Sequence, residues 1–299
     1  MGSFFTNIKQ AYQQGRMPMR FIYINVGVFI LAFLLNTLLM LFNQSGAGIL
    51  RLFELPAWME IFFYQPWSIL TYMFMHADIF HLLFNMLWLY WFGQLFLYFY
   101  SERSFCGLYF FGGLCGGALY MLFYNIFPYF NQAVYTSYLL GASASVLAIT
   151  VATAVKEPDF RVRLLFFGNV RLKYIALIMV GIDLLMMTSG NAGGHIAHLG
   201  GALGGLWFAL SMRRGHDVTK WINFLIDKIV NLFSWISKRP QKRPKMKVHY
   251  NSREKDYDYN ARKKAQSEEI DRILDKLKKS GYGSLTTDEK KSLFDASKK

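Results

Sequence analysis

The stretch IFHLLFNMLWLYWFGQLFLYFY, residues 79–100, decides the fold class. Its 22 residues contain no Asp, Glu, Lys or Arg, and about 20 apolar residues in a helix are what crosses the hydrocarbon core of a bilayer. Working outward, Phe21–Phe42 is a second uncharged run. Phe105–Phe130 follows residues 79–100 after the turn Ser101-Glu102-Arg103-Ser104, and Ser137–Val155, Tyr174–Ser189 and Ile196–Met212 come next. The last two would reach only about 25 Å as helices, which suits a locally thinned bilayer. These runs predict an all-α membrane protein with six transmembrane helices.

Composition agrees. The 299 residues are 54% hydrophobic and 17% charged, against about 25% charged in soluble domains. The net charge of +14 is read as cytoplasmic loops and a tail facing anionic lipid, with no nucleic-acid partner. Lys9, Arg16, Arg20, Arg103, Lys156, Arg161, Arg163, Arg171 and Lys173 fall on one side of the six runs, and Arg51 alone on the other. The excess of Lys and Arg marks the cytoplasmic side, so both termini are expected in the cytoplasm and the protein in a bacterial inner membrane. Phe21–Phe42 is too long for a cleavable signal. Cys106 and Cys115 support neither a disulfide framework nor a metal site, and no cofactor is implied.

The domain organisation expected is a cytoplasmic segment at 1–19, a six-helix membrane domain at 20–214, an amphipathic interfacial helix at 215–237, and a basic linker with a small soluble helical tail at 238–299. Asn43–Met75 is apolar but broken by Arg51, Glu54, Pro56, Glu60 and Pro66, so it is placed in the outer interface. Val218–Ile236 carries Asp227 and Lys228. A seventh span there would put the basic run after Ser237 outside, so the helix is laid beneath the inner leaflet. In the tail, Ile270, Ile273, Leu274 and Leu277 form a helical stripe ended by Gly281 and Gly283. Thr286-Thr287-Asp288-Glu289 then opens another helix as a capping box. The stripe is expected to pack within the tail.

Polar residues inside spans mark function. His81 and Asn85 in the second span, Ser143 in the fourth and His198 in the sixth all fall in the outer half. A neutral imidazole beside a serine hydroxyl can take its proton, and His81 and Asn85, at i and i+4, could hold an oxyanion from one helix face. Gly141-Ala142-Ser143-Ala144-Ser145 and the glycines after His198 allow close helix approach. His76 is read as an interfacial polar residue and His195 as structural. Asp183 is expected to pair with His195 or to be solvated, a part in catalysis being the alternative. Ser145 is expected to bond a carbonyl four residues back. A transporter would need charged or broken helices at the midplane, which are not evident.

These motifs resemble the rhomboid intramembrane proteases. Gly141-Ala142-Ser143 matches the family's G-x-S, Ala197-His198-Leu199-Gly200-Gly201-Ala202-Leu203-Gly204-Gly205 its sixth-helix motif, and His81-Leu82-Leu83-Phe84-Asn85 its H-x-x-x-N element. The chain departs from the family at Ala144, where a glycine is usual, at Leu147, where an aromatic residue is frequent, and at Trp67-Ser68, in place of a Trp-Arg pair. The resemblance covers about Pro18 to Arg214. It implies a six-helix rhomboid-like bundle, with Ser143 as nucleophile, His198 as base, and His81 and Asn85 as oxyanion donors. The implied activity is endoproteolysis of single-span membrane proteins within the bilayer. A catalytically silent binder of membrane clients is the alternative.

The charge count yields a first prediction. In intact cells, a cysteine placed near Gly46 or near Gly190 should react with an impermeant thiol reagent, and one near Asp159 should not. Labelling at Asp159 would reverse the orientation.

Overall fold

In the computed structural model of the chain, residues 15–164, 168–237 and 253–297 are described. They fall in two units, Met1–Ser237 and Lys238–Lys299. Six helices of the first unit occupy the six apolar runs: α1 Met17–Leu41, α2 Ile79–Phe99, α3 Glu102–Ile126, α4 Ser143–Lys156, α5 Leu172–Leu185 and α6 Ala192–Arg213. Among the described residues, α1, α2 and α3 are long and apolar enough to cross a membrane, while α4 is apolar but shorter. The surface of α1 is diagnostic. Only Pro18, Phe21 and Asn25 are buried, while Leu31, Phe33, Leu38 and Leu41 are all more than half exposed. In water such a face would be a large unmet apolar patch; hydrocarbon satisfies it, since the helix bonds its own backbone.

The helix ends differ from the expected span limits for local reasons. α3 begins at Glu102, because the Ser101 hydroxyl accepts the Ser104 N–H at 3.0 Å and caps the helix. The expected turn is therefore mostly first helical turn. α3 stops at Ile126, since Phe127 is extended ahead of Pro128. α4 begins at Ser143, six residues later than the expected Ser137 limit, because Tyr138–Leu139 (β2) pairs antiparallel with Leu55–Pro56 (β1). Gly141, at φ +128°, makes the turn into the helix, a conformation L side chains rarely adopt.

α4 is the centre of the unit. Every residue from Ala144 to Ala154 is buried, packed between α2, α3, α5 and α6. α6 reaches it backbone to backbone: a Cβ on Gly201 would overlap the Ala144 carbonyl oxygen, and one on Gly205 the Ala148 carbonyl oxygen. At the far end of α4, the Arg213 guanidinium donates to the Val155 carbonyl. α3 brings a glycine stripe of its own, since Gly112 and Gly116 meet the Ala148 and Ala144 methyl groups.

The segment between α1 and α2 is tightly folded. Trp67 Nε1 donates to the Leu52 carbonyl at 2.8 Å, Thr71 Oγ1 to that of Phe53 at 2.8 Å, and Gln65 Nε2 to those of Arg51 and Glu54. The basic stretch before α5 is a hairpin. Arg161–Leu164 (β3) pairs with Gly168–Arg171 (β4), and Arg161-Val162-Arg163-Leu164 does carry the alternation of a strand. The Asp159 carboxylate accepts from Lys173 at 2.8 Å and Arg171 at 3.1 Å, and the Lys173 bond first of all holds its carboxyl below the usual carboxylate range.

Lys220–Ser237 forms α7. Ile222 and Asn223 are buried, whereas Trp221, Phe224, Leu225, Ile229 and Val230 are exposed, and Asp227 pairs with Arg103 at the start of α3. In the second unit, α8 (Arg253–Ser280) and α9 (Thr287–Ser297) are joined through Gly281 at φ +73°. Ile273 and Leu285 are buried, while Leu274, expected in the stripe, is 45% exposed. Thr286 and Glu289 form a reciprocal capping box: Glu289 accepts the Thr286 N–H at 2.8 Å and donates its own N–H to the Thr286 hydroxyl at 3.3 Å. Glu289 also accepts from Lys276 on α8 at 2.9 Å.

The α4–α6 contact sets a second prediction. Gly201→Ala pushes a methyl group into backbone that cannot rotate away, so it should lower stability by about 1–3 kcal/mol or more. Gly181→Ala, where a Cβ meets nothing within 4 Å, should leave it unchanged. Equal thermal midpoints in detergent for both variants would refute the contact.

Candidate active site

Ser143 is the first residue of α4, so its backbone N–H has no acceptor within the helix and is free to bind a ligand. The turn before it is held from outside: the Gly141 N–H donates to the Tyr72 carbonyl at 2.9 Å, and the Tyr72 hydroxyl donates to the Gly113 carbonyl at 2.7 Å. A side chain at Gly141 would stand 2.9 Å from His81 Nε2 and 3.5 Å from Ser143 Oγ. Glycine thus keeps open the space that the imidazole and the hydroxyl both border.

His81 sits in the first turn of α2, which Asp78 caps by accepting the Phe80 and His81 N–H groups at 2.9 Å. The Ala77 N–H donates to His81 Nδ1 at 3.4 Å. That leaves the ring proton on Nε2, the nitrogen turned toward Gly141. The ring of His76 is buried and packs edge-on against His81, with centroids 5.1 Å apart. Asn85 Nδ2 donates one hydrogen to the His81 carbonyl at 2.9 Å, and its second amide hydrogen remains to be offered.

His198 lies in the second turn of α6, one turn beyond His195. Both Nδ1 atoms stand 2.8 Å from the same oxygen, Asp183 Oδ1. The expectation of an Asp183 paired with His195 or solvated was incomplete: Asp183 is buried and also bonds His198. Ser143, His198, His81 and Asn85 line one cavity of about 800 Å³, together with Trp88 and Leu147. Among the described residues no hydrogen bond joins Ser143 Oγ to His198. Such bonds are often long in ligand-free sites and tighten when substrate binds.

Two sequence-level departures have local compensation or correction. The methyl group of Ala144 fits because position 116 opposite is glycine, where a Cβ would come within 2.6 Å of it. Ser145 does not bond a carbonyl four residues back: its hydroxyl is buried without a partner among the described residues. The residue four back, Gly141, belongs to the turn before the helix. As for a metal, the donor atoms of Asp183, His195 and His198 lie within 4.8 Å of one another. Their 2.8 Å separations are hydrogen-bond lengths, whereas zinc bonds of about 2.0–2.2 Å in tetrahedral array would spread the donors to roughly 3.3 Å. The three are a hydrogen-bonded group.

Comparison with known proteins decides the family, because the Rhomboid domain model matches residues 64–215, about half the chain and all of the cavity just described. The chain belongs to the rhomboid family. Its rhomboid domain is similar to RHOMBOID-like protein 12, mitochondrial, of Arabidopsis thaliana, at 29% identity over 144 residues, covering 45% of this chain and 43% of that protein. It is also similar to the human presenilin-associated rhomboid-like protein, mitochondrial, at 27% identity over 159 residues, covering 50% of this chain and 38% of that one. The chain thus spans less than half the length of these relatives. Residues 253–299 match a family of unknown function (DUF6576). Within the rhomboid domain, the residues that the sequence reading undervalued are Asp183 and His195. The usable signal was a lone carboxylate two residues before the end of α5, facing two histidines at i and i+3 across a connection of only residues 186–191.

A third prediction separates the two serines. Ser143→Ala should abolish substrate cleavage and fluorophosphonate labelling, while Ser145→Ala should retain both and leave the thermal midpoint unchanged or raised, since it removes an unpartnered buried hydroxyl. The reverse pattern would move the nucleophile to Ser145.

Proposed function

We propose that this rhomboid-family protein is an intramembrane serine endopeptidase that cleaves single-span membrane proteins. The observation that carries the reading is the shared cavity: Ser143 from α4, His198 from α6, and His81 and Asn85 from α2 border the same space. Rhomboid proteins are generally intramembrane serine proteases, and this chain keeps the serine and the histidine on which that chemistry rests.

The steps follow from the donors and acceptors present. Ser143 Oγ attacks the scissile carbonyl carbon as its proton passes to His198 Nε2. The oxyanion is held by the His81 Nε2–H, the second Asn85 amide hydrogen and the Ser143 backbone N–H. As the tetrahedral intermediate collapses, His198 returns the proton to the leaving amine, and an acyl-enzyme on Ser143 remains. Water entering through the cavity is deprotonated by His198 and releases the second product. The segment between α1 and α2 and the β1–β2 pair frame this route from the side that the charge count assigns to the exterior.

In this reading the six helices α1–α6 span a bilayer with both termini cytoplasmic, and α7 lies along the inner leaflet with its exposed Trp221 and Phe224 in the interface. The protein's partners are then lipid and transmembrane substrates.

Reconstituted full-length protein should cleave a single-span model substrate. His81→Ala and Asn85→Ala should each slow turnover by roughly 10²–10³, the usual effect of losing one oxyanion donor, with the fold intact by thermal unfolding. Wild-type rates in both variants would remove them from the mechanism. Folded wild-type protein that takes no fluorophosphonate label and cleaves nothing would favour a binder of membrane clients.

A further inference from the structure

Asp183 is the only buried carboxylate among the described residues. A carboxylate withdrawn from water is costly unless hydrogen-bonded, and here one oxygen, Oδ1, faces both His195 Nδ1 and His198 Nδ1 at 2.8 Å. A carboxylate can only accept, so each imidazole must carry a proton on Nδ1. For His198 that choice settles which nitrogen does chemistry, because Nδ1 is occupied and Nε2 keeps its lone pair. In the opposite tautomer the ring would present an N–H to the serine and could not act as base.

We infer that Asp183 is a positioning residue that holds His198 in the base-competent tautomer and orientation, extending the Ser143–His198 pair to a chain of three, with His195 anchoring the carboxylate from the other side. The inference rests on the reading of Ser143 and His198 as the catalytic pair. The local architecture favours it. α5 ends at Leu185 and α6 starts at Ala192, so Asp183 and the two histidines are tied across a tight helical hairpin. As the His198 ring gains the serine proton, the adjacent carboxylate also offsets the new positive charge without itself becoming protonated. His195 has a different part. It supplies a second donor to Oδ1 and fixes the carboxylate, and it is absent from the lining of the Ser143 cavity.

The test uses reconstituted full-length protein and a single-span substrate, with turnover, KM, thermal midpoint and ¹⁵N NMR of histidine-labelled protein as readouts. Asp183→Asn keeps the shape but removes the charge and can offer an N–H to Nδ1. It should cut kcat by roughly 10²–10⁴, the share general base catalysis supplies, with KM nearly unchanged. His195→Gln retains a side-chain N–H for Asp183 and, as the conservative variant, should lose less kcat than Asp183→Asn. In wild-type protein the His198 signals should show Nδ1 protonated and Nε2 bare, and in Asp183→Asn a mixture. Wild-type turnover in Asp183→Asn with His198→Ala inactive would overturn this inference alone. Wild-type turnover in His198→Ala would bring down the Ser–His reading and the inference with it. A loss of kcat in Asp183→Asn that goes with a lowered midpoint, while His198 keeps the wild-type tautomer, would reduce the cluster to packing and overturn the inference. Activity lost to a chelator and restored by zinc would make it a metal centre and overturn the inference too. Should Asp183→Asn fail to fold, the wild-type tautomer decides: a protonated Nε2 on His198 refutes the proposal.

Discussion

The contact on which the rest depends is that of two backbones. α6 meets α4 through Gly201 and Gly205, at positions where any side chain would collide with the Ala144 and Ala148 carbonyl oxygens. In a bilayer, lipid tails are as apolar as leucine, so helices gain little by hiding apolar faces from them. Close van der Waals approach does the work instead. A larger residue at either glycine would separate the helices, and the separation would fall between Ser143, just before the first contact, and His198, just before the same glycines on α6. Packing and chemistry share one short interval of chain. The same economy explains Ala144: the extra methyl group is absorbed by Gly116 on α3, so a departure at a sensitive position leaves the α4–α6 distance alone.

Around that axis, the groups of the proposed site are each held by a specific hydrogen bond. Gly141 is held by the Tyr72 carbonyl, and Asp78 caps the turn that carries His81. A second hydrogen bond at each histidine assigns the ring proton: the Ala77 N–H at His81 and the Asp183 carboxylate at His198. The two imidazoles therefore present opposite faces to the cavity, one a donor and one an acceptor. Oxyanion binding and proton abstraction need that difference.

Much of this was legible in the sequence, and the reason is physical. Bilayer thickness imposes run lengths, so the six helices fall on six apolar runs, and polar residues are rare enough in such runs that Ser143, His198, His81 and Asn85 stand out. What escaped was whatever depends on contacts between segments. Tyr138–Leu139 reads as apolar helix, yet pairs as strand because Leu55–Pro56 lies beside it. The bond of Asp183 to His198, beside the expected one to His195, requires the α5–α6 hairpin geometry, which composition does not encode. The bond expected from Ser145 to a carbonyl four residues back is not made, because α4 starts at Ser143 and that residue, Gly141, precedes the helix. The glycine stripe of α3 was visible as Gly112-Gly113 and Gly116-Gly117, but its partners were not.

α4 is a helix of 14 residues, about 21 Å long, and from Ala144 to Ala154 it touches only protein. A helix that never meets lipid need not be as oily as one that does, and α4 carries Ser145, Thr150 and Thr153, the threonines bonding back to the Val146 and Ile149 carbonyls. The consequence lies in biogenesis. A translocating chain is sorted into the bilayer by the apolarity of each segment, and α4 alone makes a weak case. α6, whose glycines give it its closest neighbour, is synthesised later. In a membrane-spanning bundle, stable integration of the segment that bears Ser143 would therefore wait for residues some sixty positions downstream to leave the ribosome, tying the appearance of the site to completion of the whole bundle.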